Sequence, residues 1–127
     1  MSKQQFKGVD VAFLPVRNLD QALAWYSTVM GFEMTFKDVE HKAAGMETGG
    51  AIGIILVEVK NHKPIVFPEN DYMVDISFNY RAADIKQLYQ DLTDKGIELT
   101  EMSESFNSTF RCFGFADLDG NRISVVS

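Results

Sequence analysis

One five-residue pattern occurs twice in this chain and constrains the fold more than any other feature. Gly-Phe-Glu-Met-Thr stands at 31–35, and Gly-Ile-Glu-Leu-Thr stands at 96–100, which is 65 positions later. Each copy follows a helical pattern in which apolar residues recur every three or four positions, at 19–30 and at 85–92. A duplicated pattern of this kind indicates two structurally similar modules in one chain.

The same order of elements is predicted around each copy. One strand-like run precedes each helix and two more follow each repeat; these runs lie at 9–16, 43–47, 52–59, 73–80, 110–116 and 122–126. Asn18 is predicted to cap the first helix, and Gly31 to end it in the left-handed conformation. Each half therefore reads β-α-β-β-β, which predicts an α+β fold.

The length and apolar content favour one domain. With 127 residues, of which 46% are hydrophobic, the chain can bury one sizeable core. We predict a single domain over 1–127, with module one at about 7–60 and module two at about 72–127. The segment at 61–71 holds two of the three prolines, which excludes a central strand or a helix there and predicts a connector.

Charge and cysteine content restrict the partners and the compartment. The net charge is -6, so a nucleic acid or an anionic membrane is not expected as a partner. A single cysteine, the lack of a long apolar run and the lack of a secretory start predict a cytoplasmic protein. Beyond residue 63, eleven acidic residues face five basic ones. This surplus indicates either a solvated acidic surface or a site for a cationic ligand.

Two motifs resemble a known superfamily. Residues 13–26 and 30–32 read Phe-Leu-Pro-Val-Arg-Asn-Leu-Asp-Gln-Ala-Leu-Ala-Trp-Tyr and Met-Gly-Phe, and residues 115–123 read Phe-Ala-Asp-Leu-Asp-Gly-Asn-Arg-Ile. With the repeat, they resemble the vicinal oxygen chelate superfamily of glyoxalase I, extradiol dioxygenases, fosfomycin-resistance thiol transferases and bleomycin-binding proteins. Leu118 replaces a proline that is usual there. The resemblance implies two βαβββ modules whose curved mixed sheets form a cleft, helices on the outer face, and a homodimer.

The metal site of that superfamily is where this sequence departs. The resemblance places its ligand positions at Val11, Asp75 and Ser124. Valine has no donor atom, and a serine hydroxyl is a poor ligand for divalent transition metals. We therefore predict no metal and no cofactor. The alternative is a shifted register, in which Asp75 binds a metal with Glu47 or Glu58.

Strand alternation separates a polar face from an apolar one in the second module. If Val11 and Asp75 face the implied cleft, small polar side chains join them there, whereas Ile76, Phe78 and Tyr80 face the helix side. A pocket with aromatic and polar groups suits a small molecule. The predicted ligand-binding residues are Phe13, Asp75, Ser77, Asn79, Arg111, Phe113, Arg122 and Ser124. Asp75 is the candidate base should the chain catalyse a proton transfer, and Cys112 is predicted to be a buried core thiol.

Three functions remain open on the sequence. The favoured hypothesis is a metal-independent protein that sequesters a small aromatic or cationic molecule, similar to the bleomycin-resistance branch, and that is not an enzyme. The second is a metal-dependent lyase, dioxygenase or thiol transferase of the same superfamily. The third is a non-catalytic structural or regulatory partner domain.

Overall fold

The computed structural model describes residues 4–104 and 110–127. The chain divides into two compact units, Met1–His62 and Lys63–Ser127, and the boundary falls within the predicted connector. No helix in the described residues is long and apolar enough to cross a membrane. The prediction that both units form one domain stays a prediction.

The first unit has the predicted βαβββ order. Its strands are β1 (Val11–Val16), β2 (Glu33–Asp38), β3 (Ala43–Glu47) and β4 (Gly53–Glu58), and its helix α1 (Leu19–Trp25) runs into a π-helical turn. The sheet order is β1-β4-β3-β2, with β1 parallel to β4 and the other neighbours antiparallel.

Both ends of the first helical segment follow the sequence rules. The Asn18 side chain accepts the Gln21 N–H at 2.9 Å, which satisfies one of the unpaired amides of the first turn. Gly31 closes the segment with φ 74°, a conformation that costs glycine little. Beneath the helix lies the core of the unit, which includes Val16, Ala22 and Leu56, all fully buried.

Glu58, the last residue of the inner strand β4, connects this sheet to the start of α1. Its Oε1 accepts the Leu19 N–H at 2.9 Å, and its Oε2 lies 3.4 Å from Lys42 Nζ. The Leu19 amide, and then Lys42, lower the pKa of Glu58 below its ordinary value of 4.5. A carboxyl group whose pKa is lower in the folded than in the unfolded chain stabilises the fold at pH values above its unfolded-state pKa. That stabilisation is lost as the pH falls from the unfolded-state pKa through the folded-state pKa.

We expect Glu58→Gln to flatten the acid limb of the stability profile. Below pH 4.5 the free energy of unfolding of the wild type should fall more steeply with pH than that of the variant. Urea titrations at several pH values measure both slopes. Glu40→Gln, an exposed glutamate in the β2–β3 turn, is the control and should keep the wild-type slope. Equal slopes for Glu58→Gln and the wild type would contradict this role.

The second unit repeats the order with shorter outer strands. It contains β5 (Tyr80–Arg81), α2 (Ile85–Asp94), β6 (Ser103–Glu104), β7 (Arg111–Ala116) and β8 (Arg122–Val126). The sheet order is β5-β8-β7-β6, with β5 parallel to β8. The α+β class and the two βαβββ modules are thereby confirmed.

Two predicted strands of this unit are largely absent. The strand predicted over 73–80 reaches the ladder only at its end, because the Asn70 side chain binds both backbone groups of Val74 and forms a local turn. The repeat at 96–100 is not assigned as a strand either. There the Thr100 hydroxyl, rather than its carbonyl, accepts the Gly114 N–H at 2.9 Å.

Candidate functional site

The sheet of the first unit has one face toward α1 and a second face away from it. Leu14 and Leu56 are buried on the α1 side, and Lys37 Nζ reaches Asp20 on α1 at 2.7 Å, which places Lys37 on that side as well. Strand alternation turns the intervening residues to the other side. We call this second surface the apolar face; its members are Val11, Phe13, Phe36, Gly45, Ile55 and Val57.

Two phenylalanine rings dominate the apolar face. Phe13 is 62% exposed and Phe36 is 46% exposed. The Phe36 ring lies across β3 at Gly45, where a Cβ atom would overlap the ring and would come within 2.7 Å of Thr35 Oγ1. The sequence analysis identified Phe13 but missed Phe36, because an irregularity between Met34 and Phe36 shifts the strand register and reverses the alternation.

The sheet of the second unit is divided in the same way. Phe113 contacts Tyr89 of α2 edge-on, with ring centroids 5.0 Å apart, so the residues that alternate with Phe113 face away from the helix. We call that surface the polar face; its polar members are Asp75, Cys112, Arg122 and Ser124, and Gly114, Ala116 and Val126 lie on the same side.

An ion pair joins two predicted site residues on the polar face. Arg122 Nε lies 3.4 Å from Asp75 Oδ2. The guanidinium lies beside Gly114, where a Cβ would stand 3.3 Å from Arg122 Nη2. Ser124 pairs with Gly114 across the two strands and is half-buried. Ser77 and Asn79 are exposed, and they alternate with half-buried apolar residues as predicted.

The structure corrects the placement of three residues. Phe113 is 3% exposed and stacks on Phe115, so it belongs to the core on the α2 side. Arg111 lies on the same side of β7 as Phe113, away from the polar face, and its Nε pairs with Glu104 Oε1 at 3.1 Å. Cys112 is half-buried, not a core thiol, with its Sγ 2.8 Å from Ser103 Oγ. Phe113 and Phe115, the aromatic residues that follow Cys112, point to the opposite side of the strand.

The sequence and the two βαβββ units agree on the family. Residues 8–125 match the family model of the Glyoxalase/Bleomycin resistance protein/Dioxygenase superfamily. The chain belongs to this superfamily. The resemblance stated from the motifs is thereby confirmed. No curated protein matches the sequence.

Solved structures of the superfamily and related folds superpose over nearly the whole chain. Integron cassette protein HFX_CASS4, from the mobile metagenome of the Halifax Harbour sewage outfall, is 21% identical with a TM-score of 0.77, covering 96% of this chain and 99% of that one. Lactoylglutathione lyase from Agrobacterium tumefaciens is 19% identical with a TM-score of 0.73, covering 97% and 95%. TnmS3, an antibiotic binding protein from Streptomyces sp. CB03234, is 19% identical with a TM-score of 0.72, covering 97% of each. These similarities concern the fold.

The residues at the implied metal positions do not fit a divalent ion. Val11 offers no donor, Ser124 offers a weak one, and the carboxylate of Asp75 is held beside the positive charge of Arg122. A guanidinium next to the single strong donor opposes a second cation there. Within residues 4–104 and 110–127, no three His, Cys, Asp or Glu side chains group closely enough to hold a metal.

The alternative ligands Glu47 and Glu58 do not come together with each other. Glu58 is engaged with Leu19 and Lys42 on the α1 side of the first sheet. Glu47 is exposed at the end of β3, opposite Glu33, where both border an open depression of about 220 Å³. The hypothesis that Asp75 binds a metal together with one of these glutamates stays a prediction.

Proposed function

We propose that this chain binds a small organic molecule with a planar apolar group, and that it does so without a metal ion. The observation that carries the proposal is the exposure of Phe13 and Phe36 on the apolar face. Large aromatic side chains that stay exposed on one sheet face, while the other face is packed, are typical of a binding surface. Flat rings favour stacked or edge-on contacts with other rings.

The donor set, and not the comparisons, favours binding over metal-dependent catalysis. TnmS3, which has the same fold, is an antibiotic binding protein. The lyase from Agrobacterium tumefaciens shares the fold as well, but the poor donor set at Val11, Asp75 and Ser124 argues against carrying a metal-dependent reaction over. A regulatory partner domain would use the same face for a protein instead of a small molecule. The predicted homodimer and cytoplasmic location stay predictions.

A ligand screen on metal-stripped protein tests the proposal. Untagged protein is treated with EDTA, desalted and screened by thermal shift against neutral, cationic and anionic planar aromatic compounds, and hits are quantified by calorimetry. We expect bound compounds to raise the Tm. Phe13→Ala should weaken binding by about tenfold, because it removes one aromatic contact. Tyr72→Ala is the matched control, since Tyr72 is 90% exposed and lies just after the connector, in the other unit.

Two results would count against this function. The first is that none of the screened aromatic compounds raises the Tm, a result that would favour the partner-domain hypothesis instead. The second is retention of one equivalent of Mn, Fe, Co, Ni or Zn after incubation and desalting, measured by elemental analysis. That outcome would restore the metal-dependent enzyme, and substitution of Asp75, Glu47 and Glu58 would then identify the ligands.

A further inference from the structure

One row of side chains crosses the whole sheet of the first unit on the apolar face. Phe36 of β2 stands directly opposite Gly45 of β3. Ile55 of β4 pairs with Gly45 on one side and with Phe13 of β1 on the other. Both phenylalanines are exposed, and Ile55 between them is half-buried. The row therefore has an aromatic ring at each end and a low apolar floor at its centre.

The spacing of the two rings suits a third ring between them. Neighbouring strands lie about 4.8 Å apart, so the Cα atoms of Phe13 and Phe36 are separated by three spacings, or about 14 Å. Aromatic rings contact each other best at centroid distances of about 4.5–7 Å, so a ring held between two others needs them about 9–14 Å apart. The backbone spacing alone therefore lies at the upper limit of this range.

Gly45 allows the Phe36 ring to lie closer than this limit. The ring edge formed by Cδ1 and Cε1 lies at Gly45, one strand nearer to Phe13 than the backbone of Phe36. A Cβ atom at position 45 would overlap that edge and would stand 2.7 Å from Thr35 Oγ1. Because the atoms in its way belong to side chains, an alanine there would displace the ring and not the strand.

We propose that Phe13 and Phe36 hold one aromatic ring of the ligand between them over Ile55, and that Gly45 is the positioning residue for Phe36. The inference rests on the proposed function and specifies its ligand class. An aromatic ring gains ring-to-ring contacts with both phenylalanines, whereas a saturated ring of similar size gains only the burial of apolar area. The site should therefore select an aromatic group over its saturated counterpart.

Titrations with benzamide and cyclohexanecarboxamide test this proposal. The two amides share the polar group and differ in the aromaticity of the ring. NMR titration of ¹⁵N-labelled, metal-stripped protein measures an affinity for each, and we expect benzamide to bind about tenfold more tightly. Intermolecular NOEs from the benzamide ring should reach the side-chain protons of both Phe13 and Phe36.

Three variants separate positioning from packing. Gly45→Ala keeps both phenylalanines and should reduce the preference for benzamide about threefold, with loss of the NOE to Phe36 but not of that to Phe13. Phe36→Leu keeps an apolar side chain without the ring and should reduce the preference to the same extent. Gly50→Ala is the matched control: a Cβ there meets no atom of the described residues within 4 Å, so the preference should stay at the wild-type value.

The remaining outcomes separate this inference from the proposed function. Bound benzamide with NOEs to Phe13 alone would overturn the inference and leave the proposed function standing. An unchanged preference in either Gly45→Ala or Phe36→Leu would do the same, as would an equal loss of affinity for both amides in Gly45→Ala. Circular dichroism checks folding, and if Gly45→Ala does not fold, the wild-type NOEs and Phe36→Leu decide. Failure of both amides to bind would count against the two together.

Discussion

Phe115→Ala is expected to lower the free energy of unfolding by about 3–5 kcal/mol, the range for truncation of a core aromatic ring. The ring is 1% exposed and stacks on Phe113 with centroids 6.1 Å apart and planes 19° from parallel. Alanine would leave a void within the core of the second unit, and the flanking strands cannot close over it without breaking their ladder with β8. Urea denaturation followed by circular dichroism measures the loss.

The same substitution at Phe13 provides the matched control. Phe13 is 62% exposed on the apolar face, so Phe13→Ala removes few packing contacts and should cost less than about 1 kcal/mol. A loss at Phe13 comparable to that at Phe115 would show that the apolar face is packed in solution. In that case the observation that carries the proposed function would fail.

The second large effect is expected at Asp117, with a loss of about 3 kcal/mol for Asp117→Ala. This buried carboxylate holds the turn before β8: Oδ1 accepts the Asp119 and Asn121 N–H groups at 2.9 and 2.8 Å, and Oδ2 accepts Asn121 Nδ2 at 3.0 Å. Alanine would remove the acceptor of these three hydrogen bonds, and each buried donor that stays unsatisfied costs about 1–3 kcal/mol. The thermal or urea midpoint reports the change.

Two further variants separate the hydrogen bonds from the turn itself. Leu118→Ala changes an exposed residue in the same turn and should alter stability by less than about 0.5 kcal/mol. Asp117→Asn keeps one acceptor oxygen but directs an amide at another amide, so it should fall between alanine and the wild type. A loss below about 1 kcal/mol for Asp117→Ala would mean that the backbone alone maintains the hairpin.

The sequence was most informative where local chemistry decides structure. Asn18 caps α1, Gly31 ends it, and β3 and β8 run over the predicted residues, because capping, positive φ and alternation are properties of a few adjacent residues. The superfamily followed from the repeat and two motifs. These features can be predicted without knowing which strands become neighbours.

Predictions failed where a side chain competes with the backbone. Alternation over 75–80 predicts a strand, yet the Asn70 amide holds the preceding turn and only the end of the segment joins the sheet.

Other features depend on how strands pair, which the sequence does not give. Phe36 was missed because the register shift in β2 reverses the side on which its ring lies. The ion pair between Arg122 and Asp75 was not foreseen either, since sequence places both residues on one face but does not give the distance between them.

The two glycines that lie beneath large side chains suggest how such a duplicated fold acquires new binding partners. Gly45 lies beneath an aromatic ring, and Gly114 lies beside a guanidinium, each on the third strand of its unit. Both positions give a bulky side chain on a neighbouring strand room to lie close to the backbone. Exchange of the side chain beside such a glycine therefore converts an apolar surface into a charged one. Selectivity can then evolve separately in each half, while the scaffold that both halves share stays untouched.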